Sequence, residues 1–187
     1  KRQVQHEVNG PLDMELDMKK IKEVIAEAER IGMYVMLDMH DYCRRNVDGV
    51  TCKISDSGKL TKEHLADVWK KIAVECQMYK NIWGYDIMNE PYGLDKGVWY
   101  STAQAVIDAI RTVDMQTPIV IEGESYASSS TWPSTGGGLI GLNDPANNLI
   151  FQAHCYFDKD KSGHYNLGDF DKEVSDPQQH LSLIHIS

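Results

Sequence analysis

Three short polar clusters stand where side chains could do chemistry. They are Asp38-Met39-His40-Asp41-Tyr42, Asn89-Glu90-Pro91 and His154-Cys155-Tyr156, and each follows a short apolar run. Asn-Glu-Pro offers a carboxylic acid at the end of an apolar run, with an amide neighbour able to hold a hydroxyl group. Such an acid can hand a proton to a leaving oxygen. The tripeptide alone occurs by chance in many chains; its place between the two histidine clusters gives it weight. A lone His at a strand end is more often a satisfied polar residue than a working one. His40 and His154 flanking Glu90 on neighbouring strand ends reverse that preference. Asp38 and His40 sit two apart and point the same way, but no third ligand stands nearby, so no metal is implied. Nothing implies an organic cofactor either.

The elements that must position these clusters alternate. From Pro11 to Arg30, Leu16, Ile21, Val24, Ile25 and Ala28 recur at helical spacing, and Gly32 ends the helix. Tyr34-Val35-Met36-Leu37 then reads as a strand buried on both faces. Thr61 to Tyr79 is helical, with Thr61 as N-cap and Leu65, Val68, Trp69, Ile72 and Ala73 on one side. A strand (Ile82 to Met88), a helix (Val98 to Val113) and a strand (Pro118 to Glu122) follow. A long loop rich in Ser and Gly leads to a last strand, Asn148 to Tyr156. Alternation of this kind means βα units on a parallel sheet, an α/β fold. In such folds chemistry lies at the C-terminal ends of the strands, where all three clusters fall.

The chain has 187 residues, 42% hydrophobic and 25% charged, with a formal net charge of −9. That balance argues against nucleic acid, which needs a basic face to neutralise phosphates. A membrane helix needs roughly 18–20 consecutive apolar residues, and no run approaches that. The four cysteines show no paired spacing suited to zinc. Cys43 and Cys52 flank one loop and could close a disulfide; four free thiols is the reading adopted.

Several segments together resemble glycoside hydrolase family five, the retaining β-glycanases typified by endo-β-1,4-glucanases. They are Gly10 to Asp13, Tyr34 to Tyr42 (YVMLDMHDY), Gly84 to Tyr92 (GYDIMNEPY), Asp144 to Asn148 (DPANN) and Ile150 to Gly163 (IFQAHCYFDKDKSG). The resemblance implies a partial (β/α)8 TIM barrel, roughly its third to sixth strands. It implies Glu90 as general acid/base, Asn89 as the residue binding the sugar's 2-hydroxyl, and His40 as a hydrogen-bonding residue where the bond is cut. His154 and Tyr156 resemble the pair that orients the nucleophile. Tyr126 and Trp132 are the first candidates for stacking on sugar rings, Tyr92 and Trp99 the next, while Trp69 and Trp83 read as core.

Asp41 stands where the family usually has Asn. The family's nucleophilic Glu lies on its seventh strand, expected past the end of this chain. Its second-strand Arg and eighth-strand Trp have no counterpart here, and Arg2 comes too late to be that Arg. Glu122 and Glu124 are not taken as substitutes for the nucleophile; Glu124 is expected to line the cleft and Glu122 to be a solvated strand-end charge. The expected substrate is a β-1,4-linked polysaccharide or oligosaccharide, cut by double displacement, with no nucleic acid, membrane or cofactor involved. The alternatives are mannan or another β-glycan, or a barrel that binds polysaccharide without cutting it. Residues 1–180 are read as a truncated catalytic domain and 181–187 as a non-native scar. No secretory signal is read within this piece, whose start is expected to be missing, and a secreted or periplasmic parent is expected.

Overall fold

The computed structural model describes residues 12–55 and 58–156. The first residues of the Gly10 to Asp13 motif, the stretch beyond Tyr156 and the 181–187 heptapeptide lie outside the described residues. Four strands form one parallel sheet: β1 (Val35–Asp38), β4 (Ile82–Asp86), β5 (Ile119–Glu122) and β6 (Leu149–Gln152), hydrogen-bonded in the order β1-β4-β5-β6. Helices α1 (Lys19–Arg30), α2 (Lys62–Cys76) and α3 (Val98–Arg111) alternate with them. That is one arc of a (β/α)8 barrel.

Local sequence explains each element. Thr61 and His64 form a capping box at the start of α2. Ile119, Val120 and Ile121 are wholly buried, as a two-faced parallel strand requires. Trp69 of α2 lies against Tyr85 of β4 and donates its indole N–H to the carbonyl of Ile87 at 2.9 Å. Arg111 of α3 forms a two-pronged pair with Asp144, at 2.7 and 3.0 Å, with both side chains 2% exposed. The same guanidinium donates to the carbonyls of Asp114 and Thr117, so it ties α3 to the turns that lead into β5 and β6.

The structure departs from expectation in places. The first helix opens as a π-helical turn, Met14–Met18, with Asp13 accepting from the amide of Leu16. Of its apolar stripe Ile25 is buried, whereas Leu16 and Val24 face outward. A hairpin, β2 (Arg44–Val47) with β3 (Val50–Lys53), fills what reads as loop after β1. Its tip, Asp48-Gly49, has positive φ at both residues, the two-residue turn that matches strand twist. The loop after β5 holds a short helix, α4 (Trp132–Thr135), and a 3-10 turn, Gly137–Gly141. Trp83, expected in the core, is 45% exposed. All four cysteines are free thiols. Among the described residues no helix is long and apolar enough to cross a membrane.

Strand register aligns the polar groups. Asp38 pairs with Asp86, Asp86 with Val120, and Glu122, two residues on from Val120, with Gln152. Partners in register and residues two apart share a face, so Asp38, Asp86, Glu122 and Gln152 line one side of the sheet.

Candidate active site

Glu90 sits four residues past the end of β4, in the left-handed region at φ 47°. A side chain with a Cβ resists that conformation, so something must hold it. Its backbone N–H donates to Glu122 Oε2 at 2.7 Å. The chain is pinned on either side: the amide of Asn89 donates to Met39 O, and the amide of Tyr126 donates to Pro91 O.

The Glu90 carboxylate meets the end of β6. His154 Nδ1 lies 2.7 Å from Glu90 Oε1, and the Tyr156 hydroxyl donates to the same oxygen at 3.3 Å. The other imidazole nitrogen, Nε2, lies 3.1 Å from Glu122 Oε1. The hydrogen bond to Glu122 is the main cause of a His154 pKa raised to about 9; burial opposes it and Glu90 adds to it. At neutral pH the ring is therefore an imidazolium that donates at both nitrogens. Gln152 Nε2 donates to Glu122 Oε1 at 2.7 Å and to Asp86 Oδ2 at 3.3 Å. Its 3.1 Å approach to His154 Nε2 then sets donor against donor and is not a hydrogen bond. Burial, and next the charge of Glu122, push Asp86 up to about 8.

On the β1 side, His40 links Asp38 and Tyr42, with Nδ1 2.8 Å from Asp38 Oδ2 and Nε2 3.1 Å from the Tyr42 hydroxyl. Asp41 is paired with Arg45 at 3.0 Å, and burial is the first cause of its raised pKa. Beside Glu90, Tyr92 is filled on both faces: the Arg44 guanidinium lies 3.5 Å over its ring, and Tyr126 stacks at 4.2 Å. Tyr126 is 50% exposed, and Ser125, Tyr126 and Ala127 all have positive φ. That run of left-handed residues turns the ring out over Tyr92.

Four readings need correction. Trp132 is 7% exposed, wedged where a Cβ on Gly123 or Gly136 would lie 2.5–2.6 Å from its ring, so it has no free face for a sugar. Trp99 is buried too and donates its indole N–H to Glu122 O. Tyr92 is covered by its two neighbours. Glu122 is not solvated: it is wholly buried among three donors from two other segments. Glu124 is half-buried, and burial raises its pKa. Glu90, His154 and Tyr156 come together as their strand-end positions led one to expect, with Asn89 buried beside Glu90. Asp86 and Gln152 carry no warning in the local sequence beyond Gln152 lying two residues from His154, on its face of the strand. Among the described residues no group of His, Cys, Asp and Glu is arranged to hold a metal.

Residues 5–183 match the family described as Cellulase (glycosyl hydrolase family 5). Endoglucanase EG-II of Hypocrea jecorina is 29% identical over 168 residues, covering 85% of this chain and 39% of that protein. The crystal structure of Pseudomonas stutzeri endoglucanase Cel5A in complex with cellobiose superposes with a TM-score of 0.83 at 36% identity, over 97% of this chain and 54% of the other. XacCel5A in complex with cellopentaose gives a TM-score of 0.77 at 31% identity, over 95% and 59%. The chain thus spans about two fifths of the curated relative and a little over half of the solved ones.

Proposed function

The chain belongs to glycosyl hydrolase family 5, and from that premise we propose that it carries the acid/base side of a retaining endo-β-1,4-glucanase site, with Glu90 as the proton donor. The observation that carries this reading is the convergence of His154 and Tyr156 on one oxygen of Glu90, Oε1. The second oxygen is then the one offered to substrate. In the first step Glu90 protonates the leaving glycosidic oxygen while a second carboxylate attacks the anomeric carbon and forms a glycosyl-enzyme. In the second step Glu90 takes a proton from water as that water hydrolyses the intermediate.

The second carboxylate comes from a strand outside these residues. Glu122 is unsuited to the part, because its oxygens are buried and engaged by His154, Gln152 and the Glu90 amide. Asn89 holds the sugar's 2-hydroxyl, His40 borders the cleavage point, and Tyr126 offers its outer face to a glucosyl ring. The complexes of relatives with cellobiose and cellopentaose support a β-1,4-linked glucan as substrate. A polymer of that kind does not enter a cell, so a secreted or periplasmic enzyme fits it.

The test is reducing-sugar release from carboxymethyl-cellulose and from mannan by the full-length protein that carries this segment. Release from cellulose, lost in Glu90→Gln, supports the reading. Preference for mannan moves the specificity elsewhere in the family. Binding without release makes the barrel a non-catalytic carbohydrate binder and removes the proposal.

A further inference from the structure

Glu122 is a carboxylate in the barrel interior with no exposed surface, and it touches no bond that is cut. Its two oxygens nevertheless gather donors from separate parts of the site. Oε2 accepts the Glu90 backbone N–H at 2.7 Å; Oε1 accepts the Gln152 amide at 2.7 Å and faces His154 Nε2 at 3.1 Å. His154 in turn holds Glu90 Oε1 from its other nitrogen at 2.7 Å. Building on the acid/base assignment of Glu90, we propose that Glu122 is the positioning residue of the site, one carboxylate that fixes Glu90 twice, through its main-chain N–H and through His154.

The chemistry at this spot calls for a carboxylate. Three donors converge on it: a peptide N–H, an amide NH2 and an imidazole N–H. A carboxylate is acceptor-only and satisfies all of them, whereas a glutamine would present its own NH2 to one of them. The peptide bond it holds is also the one in need of holding, since Glu90 sits at φ 47°. The charge matters as well. The ionisable groups acting on His154 are Glu122 of β5 and Glu90 after β4, while Asp86 of β4 joins through Gln152. Removing the charge of Glu122 releases the ring proton on Nε2. The neutral ring keeps its remaining proton on Nδ1 toward Glu90, but that hydrogen bond loses its charge and the ring loses its second anchor, so the side-chain hold on Glu90 weakens.

The test compares wild type and Glu122→Gln in the full-length enzyme on two aryl β-cellobiosides, one with a poor leaving group and one with a good one. A misplaced proton donor hurts only the substrate that needs protonation. The expected loss in kcat is about tenfold or more on the poor leaving group and under about threefold on the good one, with KM within about twofold. Equal losses on both overturn the proposal, because a general loosening of the fold does not sort substrates by leaving group. In parallel, nitrogen NMR follows the His154 ring and the Glu90 amide. In wild type the ring stays doubly protonated through pH 7.5 and the amide exchanges slowly; in Glu122→Gln the ring titrates near the ordinary histidine range. A wild-type ring that titrates as a free imidazole overturns the proposal whether or not the variant folds. Glu122→Asp, which keeps the charge but shortens its reach, is expected to retain the ring proton and show a smaller loss of the same leaving-group pattern. Wild type inactive on both glycosides removes the function proposed above, and the NMR readings still decide whether Glu122 holds Glu90.

Discussion

His154 and Glu90, 64 positions apart in the chain, meet at 2.7 Å between Nδ1 and Oε1, and the imidazole is bracketed by a second carboxylate, Glu122, at 3.1 Å from Nε2. The folded ring keeps its proton to about pH 9, against an ordinary value of 6.5. The stabilisation is therefore complete below pH 6.5 and is lost as pH rises through 9, on the order of 3 kcal/mol. Asp86 pulls in the same direction: folded, it holds its proton to about pH 8 instead of 3.8, so the folded state binds more protons across that interval. Urea unfolding of the full-length protein at pH 6.5, 7.5 and 9 should show midpoints that fall with pH. A midpoint that rises toward pH 9 would contradict the His154 network.

Replacing Glu90 by Gln removes the proton while keeping the shape. Turnover of cellulose should drop by about three orders of magnitude or more, while an aryl glycoside with a good leaving group keeps its first chemical step and accumulates glycosyl-enzyme. Pre-steady-state bursts with the activated substrate measure this directly. Near-normal cellulose turnover would unseat Glu90.

Two aromatic residues of the β5 loop should part company. Trp132→Ala empties a buried slot beneath Gly123 and Gly136, at a cost of about 3–5 kcal/mol in stability. Tyr126→Ala removes an exposed ring stacked on Tyr92; it should cost about 1 kcal/mol and raise KM for long oligosaccharides several-fold. Thermal melting and oligosaccharide kinetics, run on both variants, separate the roles.

Arg111→Met leaves Asp144 buried without its partner and strips donors from the Asp114 and Thr117 carbonyls. The expected destabilisation is about 3–5 kcal/mol. Removing both charges together, Arg111→Met with Asp144→Leu, should recover part of it. Denaturant midpoints of the single and double variants make the comparison.

The β5 strand was readable because two-faced burial demands an unbroken apolar run, and Ile119-Val120-Ile121 has few other uses. β1 and β4 were readable from apolar runs as well, but the expected two-faced burial of β1 is not met, since Tyr34 and Met36 are exposed, and β4 is exposed at Trp83. Glu90, His154 and Tyr156 were readable as strand-end positions for the same reason. The hairpin carried a signal in Asp48-Gly49, but its flanks, Arg44 to Val47 and Val50 to Lys53, are too polar to stand out as strands. Glu122 reads locally as a charge at the edge of a strand; its burial depends on donors some 30 positions away on either side, at Glu90, Gln152 and His154. Trp132 was misread because the slot that receives it is made by glycines at two other positions, Gly123 and Gly136, whose spacing means nothing until the loop is folded. Local pattern exposes elements and strand ends, whereas satisfaction of a buried polar group is settled between distant segments.

The left-handed backbone of Glu90 sets stability selection against catalysis at a single position. Glycine or asparagine would sit there with less strain, so a library screened for heat resistance alone is drawn toward discarding the proton donor. Improvement by directed evolution should therefore hold position 90 fixed and look for compensation in the partners of its peptide N–H and carboxylate. Selection for turnover on unactivated polymer should resist the same exchange, even in the most thermostable lineages.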